Sequence, residues 1–172
     1  MEETINEMTK KIEKMQMTAG GFIAAADYLN QAISKDGFLL GIYGPAYTAN
    51  LAFGCEVYLK QLHLLTGDEK KGHELKCLYQ ALNDDIKAMI RSKYENDCQK
   101  YCEEINNNAE LQNLDLCLKN YNKAFEDWRY WYEEEKSSSY IGWVELRIFA
   151  KNLAELVSEM TEQIEDTSQK LH

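Results

Sequence analysis

Glu56, Lys60 and His63 stand at i, i+4 and i+7 in the stretch Ala52 to Leu65, AFGCEVYLKQLHLL, whose other residues are almost all apolar. This spacing sets three ionisable groups on one strip of a helix. A helix buried on most sides that keeps such a strip needs polar partners from elsewhere in the chain. Two segments can supply them: GHELKCLYQAL, Gly72 to Leu82, brings His73, and FEDWRYWYE, Phe125 to Glu133, brings Arg129. A guanidinium can hold a carboxylate through two parallel hydrogen bonds, so Arg129 is the expected partner of Glu56. The competing arrangement is a local network of Arg129 with Glu126 and Glu133 on its own helix. Glu56, Lys60, His73, Arg129, Tyr130 and Glu133 together form the candidate polar or binding cluster.

Two other groupings bear on chemistry. Trp128, Tyr130, Trp131 and Tyr132 put four aromatics into five residues, with Tyr140 and Trp143 close behind. They cannot all point into one core, so Trp128, Trp131, Tyr132 and Trp143 are the candidate interface residues. His73 and Cys77 share a four-residue spacing with Cys98 and Cys102, a set that could bind zinc as Cys3His. The spacing is unlike a zinc knuckle, and cysteine on a helix face behaves as a small apolar residue, so no metal or cofactor is expected.

The elements that position these residues read as helices. Ile5, Met8, Ile12, Met15, Ala19, Phe22, Ala26, Leu29 and Ile33 alternate steps of three and four, one apolar helical stripe. Gly20 and Gly21 inside it are candidate points for a bend or break. KDGFLLGIYGPAY interrupts the pattern, and Pro45 is expected in the first turn of a second helix that ends at Thr66-Gly67-Asp68. A short helix is predicted from about His73 to Leu82, and a longer one from the capping run Asn83-Asp84-Asp85 to about Ile105. Asn106 to Asn108 mark a turn. Leu114, Leu118, Tyr121, Phe125, Trp128 and Tyr132 stripe a further helix, Lys136 to Tyr140 reads as a surface loop, and Leu146, Phe149, Leu153, Leu156, Met160 and Ile164 carry the last helix. No strand of period two and no internal repeat is visible. The expectation is an all-α, up-and-down bundle of five to six helices in a single domain over 1–172.

Composition agrees with that class. At 172 residues, 45% of them hydrophobic, the chain can bury roughly 70% of its unfolded surface without a staple. Five cysteines in amphipathic patterns read as reduced thiols. A net charge of -10 opposes broad binding to DNA or RNA, although a local basic patch remains compatible with it. No apolar run suggests a membrane span, and MEETINEMTKKIEK lacks the apolar centre of a signal peptide. A soluble, cytoplasmic protein is expected. Walker-type loops, GxSxG and HExxH are absent, which removes weight from the enzyme classes that need them.

YGPAYTANLAFGCEVYLKQLHLL, GHELKCLYQAL and FEDWRYWYE, in that order, resemble segments of the HEPN family, the higher eukaryotes and prokaryotes nucleotide-binding domains. The resemblance is strongest over 43–133 and rests on the alanine-rich helix with its Glu and Lys, the GH-x-L segment and the Trp-Arg-Tyr helix. It implies a helical bundle, frequent homodimers, and small prokaryotic proteins of toxin-antitoxin or phage-defence systems, often beside a nucleotidyltransferase. Active members are metal-independent ribonucleases with an Arg followed four to six residues later by His. That motif is missing: Arg91 is followed at those offsets by Glu95, Asn96 and Asp97, Arg129 by Glu133, Glu134 and Glu135, and Arg147 by Lys151, Asn152 and Leu153. The expectation is therefore a non-catalytic binding protein, a homodimer or the partner of another protein. A divergent ribonuclease or nucleotide-binding protein is the alternative.

Overall fold

The stripe that opens the chain folds as one continuous helix, α1 (Glu2–Lys35). The computed structural model describes residues 2–105, 111, 113–124, 127 and 143–169. Ile12, Ala19, Ala26 and Ile33, spaced by sevens, turn inward, and the two alanines are wholly buried. The helix runs through Gly20 and Gly21 without a break, because packing against the next helix supplies what their weak propensity lacks.

A 3₁₀ turn (Gly37–Leu39), capped by Asp36, whose side chain accepts from Phe38 N at 3.0 Å, leads directly into α2 (Leu40–Leu65). Pro45 is therefore inside the helix, not in its first turn as its chemistry suggested. The residue four positions before it, Gly41, is exposed, so water can satisfy the carbonyl that proline leaves unbonded. α1 and α2 form an antiparallel hairpin with a close crossing: a Cβ at Gly54 would lie 2.5 Å from Ile23 Cδ1 and 3.3 Å from the Ala19 carbonyl oxygen.

Thr66 ends α2 and Gly67 follows at φ 84°, the glycine stop read from the sequence. α3 (Leu75–Gln80) is shorter than the predicted His73 to Leu82. α4 (Asp84–Glu104) starts at Asn83, whose side chain accepts from Ile86 N at 2.9 Å, and closes at Ile105. α5 (Leu114–Asn120) departs from the long helix expected through Tyr132, because the chain turns at Tyr121 to Lys123. The cause is Asn122, which leaves the helix to serve α3: its carbonyl accepts from Leu75 N at 3.1 Å and its side-chain oxygen from Lys76 N at 2.9 Å. α6 (Trp143–Gln169) completes the described elements. Asn106 to Asn108 and the Lys136 to Tyr140 stretch lie outside the described residues.

These helices make an all-α bundle, with no strand among the described residues. α2 is its central rod, buried at Leu51, Leu59 and Leu62 and packed between α1 and α6. α4 lies along α6 through Lys93 to Glu159 at 2.7 Å, and through Asp97 to Lys151 at 3.2 Å and Asn152 at 3.0 Å. No described helix is long and apolar enough to cross a membrane.

Candidate functional site

The strip on α2 divides into two duties. Glu56 is 1% exposed, and its Oε1 accepts from Lys60 Nζ at 2.7 Å and from His73 Nδ1 at 3.0 Å. An ionised carboxylate has no hydrogen to give, so Nδ1 carries the ring proton of that bond. The backbone that delivers His73 depends on Gly72, whose φ of 117° is open to glycine and disfavoured for residues with a Cβ. Two residues on, Leu75 is buried in the core. The Gly-His-x-Leu pattern is thus a turn, a polar contact and an anchor in sequence.

His63, one strip position further on, does something else. It is 1% exposed and its Nε2 donates to the Leu78 carbonyl at 2.9 Å, fastening the end of α3. Its Nδ1 is 3.8 Å from Asp68 Oδ2, too far for a hydrogen bond. His63 and His73 therefore do not share a catalytic constellation.

The cluster of Glu56, Lys60 and His73 named from the sequence is brought together, while Arg129, Tyr130 and Glu133 lie outside the described residues. Glu56 Oε2 is buried and has no hydrogen-bond partner among the described residues. The imidazole side chain is 60% exposed and the Lys60 side chain 24%. A ring held at Nδ1 by a carboxylate is the orienting half of a general base. Lys60 also lines an open groove of about 530 Å³ with Glu7, Lys10, Lys11 and Lys14, in which Lys11 is paired with Glu69 and Lys60 with Glu56; neither Glu56 nor His73 lines it.

Of the candidate interface residues, Trp128, Trp131 and Tyr132 lie outside the described residues. Trp143 turns inward: its ring is 5.2 Å from that of Tyr47, and a Cβ at Gly44 would come within 3.1 Å of it. Together they border a cleft of about 780 Å³ between α1, α4 and α6, with the Asp27–Arg147 pair at 3.0 Å on its wall. Burial raises the Tyr47 hydroxyl to about 12. Sequence reasoning missed this cleft, since its residues come from four helices with no shared motif.

Two of the five cysteines are core groups. None of the five forms a disulfide; Cys55 and Cys117 are buried, Cys98 and Cys102 half-buried and Cys77 exposed. Burial pushes the Cys117 thiol to about 12 and Cys98 to about 11, and raises Cys55 too. Such thiols are poor nucleophiles and poor metal ligands near neutrality. Among the described residues no group of three or more His, Cys, Asp or Glu is arranged to hold a metal ion. Comparison of the chain with protein-family models, with curated proteins and with solved structures gives no match.

Proposed function

We propose that this chain is a HEPN-like helical protein that acts by binding and not by catalysis, as a homodimer or with a protein partner such as a nucleotidyltransferase, in a prokaryotic toxin-antitoxin or phage-defence setting. One observation carries the binding reading. Among the described residues, the four most exposed large apolar side chains, Phe38 at 80%, Met17 at 78%, Tyr28 at 74% and Ile42 at 56%, all belong to the α1–α2 hairpin. An exposed apolar concentration of this kind is typical of a recognition surface. The polar cluster supports the non-catalytic half, because the buried Oε1 of Glu56 is taken up by Lys60 and His73, and neither Glu56 nor His73 lines the groove that Lys60 borders.

The alternative, a divergent HEPN ribonuclease or nucleotide-binding protein, draws on the Glu56-oriented imidazole of His73 beside Lys60. An RNA cleavage assay separates the two, run with wild-type protein and with Arg129→Ala and His73→Ala as controls. The binding reading expects no cleavage above that of the variants. Cleavage that disappears in either variant overturns it.

A further inference from the structure

We infer that the cleft between α1, α4 and α6 is a binding site for an uncharged, flat aromatic molecule that carries a carbonyl oxygen. A small-molecule site of this kind is independent of the protein-binding reading above. At about 780 Å³ the cleft falls within the range of drug-sized ligand sites, about 300–1,000 Å³. The rings of Tyr47 and Trp143 meet at its edge at 59° with centroids 5.2 Å apart, and Ile23, Ile148 and Ala154 extend the apolar lining. A planar ring can lie along the face of one aromatic and against the edge of the other. Glycine at position 44 leaves room for this corner, because a Cβ there would come within 3.1 Å of the indole.

Two features choose the chemistry of the ligand. The first is charge. Each cation of the described lining has a carboxylate partner: Arg147 meets Asp27 at 3.0 Å, while Lys151 and Lys100 meet Asp97 at 3.2 and 3.6 Å. With Glu104 the described lining holds three acids and three bases, so its net charge favours neither an anion nor a cation. An ionic ligand would have to part an existing pair, whereas a neutral one leaves the pairs intact. The second feature is an unmet donor. Trp143 Nε1 is buried and has no hydrogen-bond partner among the described residues. An indole nitrogen only donates, so the group that satisfies it must bring an acceptor. An unpaired buried donor destabilises the folded chain, and a bound carbonyl relieves that penalty. Tyr47 can give a second hydrogen bond: burial pushes its hydroxyl up to about 12, so it keeps its proton near neutrality.

Coumarin, a neutral fused-ring carbonyl compound, is the probe, added up to about 2 mM to the full chain and followed by proton–nitrogen correlation NMR. The Trp143 indole resonance is the one that Trp143→Phe removes. Coumarin should shift it, together with the Ile23 and Ile148 amides, with a Kd of about 0.1–1 mM, the usual range for so small a ligand. Benzoate and benzylamine, its anionic and cationic counterparts, should bind there at least about 5-fold more weakly. Trp143→Phe keeps an aromatic ring and loses the donor, while Ser34→Trp places bulk at an exposed position of the lining. Each should weaken coumarin binding at least about 5-fold and leave the amide spectrum away from the cleft unchanged. Coumarin that leaves the cleft resonances in place overturns the inference, as do shifts confined to the exposed apolar residues of the α1–α2 hairpin. A smaller loss in either variant overturns it, and so does benzoate or benzylamine binding within about 5-fold of coumarin. An empty cleft would leave the protein-binding reading standing, whereas RNA cleavage would remove that reading without bearing on the cleft.

Discussion

His73 Nδ1 lies 3.0 Å from Glu56 Oε1, a contact that pins the turn after α2 to the centre of that helix across 17 residues of chain. Glu56 is almost wholly buried, while the imidazole is mostly in water. The two partners should therefore contribute unequally. Glu56→Gln should lower stability by about 1–3 kcal/mol, because it weakens two charge-assisted bonds to a buried group. His73→Ala should cost less than about 1 kcal/mol. Urea melts of both variants and the double mutant should give a coupling of at least about 0.5 kcal/mol. Strict additivity would mean that the contact contributes nothing.

Two glycines of the hairpin should respond in opposite directions. Gly54→Ala pushes a methyl group to within 2.5 Å of Ile23 Cδ1 at the α1–α2 crossing and should cost about 1–3 kcal/mol. Gly21→Ala adds its methyl group in open space and should gain up to about 1 kcal/mol from helix propensity. Thermal melts at low protein concentration measure both. A stabilised Gly54→Ala would show that the helices separate there without penalty.

Alkaline pH should loosen the core. Cys117, raised by burial to about 12, and Cys98, raised to about 11, hold their protons in the folded chain after an unfolded chain releases them near the ordinary thiol value of 9.0. The folded state then binds more protons than the unfolded one, so stability falls with rising pH. These thiols contribute fully below about pH 9 and lose that contribution up to about pH 12. The urea midpoint should drop between about pH 7 and pH 10.5, and less steeply in Cys117→Ala. An unchanged midpoint would count against the burial argument. In the native state at about pH 8, a thiol reagent should label exposed Cys77 and spare Cys55 and Cys117.

Asn122→Ala should cost about 1 kcal/mol, the usual loss when a helix start gives up its side-chain cap. Hydrogen exchange should localise the effect, with the Leu75 and Lys76 amides losing protection first. Uniform loss across the bundle would instead indicate a global role.

How much of this was legible follows from the range of the forces involved. Period and caps are local, so the stripe through Ile12, Ala19, Ala26 and Ile33, the Asn83 cap and the Gly67 stop were readable from neighbouring residues. The polar strip was also local: Glu56 and Lys60 meet with His73, His63 turns instead to the Leu78 carbonyl, and the expected partner Arg129 lies outside the described residues. The start of α2 was not, because Asp36 nucleates a 3₁₀ turn upstream that overrides the positional preference of Pro45. The end of α5 was hidden for a different reason. Asn122 breaks an apolar period to bond with α3, a demand that arises only after segments 46 residues apart have met. Trp143 likewise looked like interface material by composition, and its inward packing on Tyr47 depends on the approach of α6 to α2.

α3 has only six residues, too few to persist alone in water. Its first amides are received by Asn122 and one of its last carbonyls by His63, so both ends are held by other parts of the chain. Its native form therefore depends on α2, which offers the imidazole, and on the turn beyond α5, which offers the carboxamide. His73, directly upstream of α3, reaches Glu56 from the turn after α2. The clasp on the central rod thereby shares its supports with α3: the turn that carries His73 to Glu56 is anchored on one side by α2 and on the other by a helix that Asn122 and His63 hold in place.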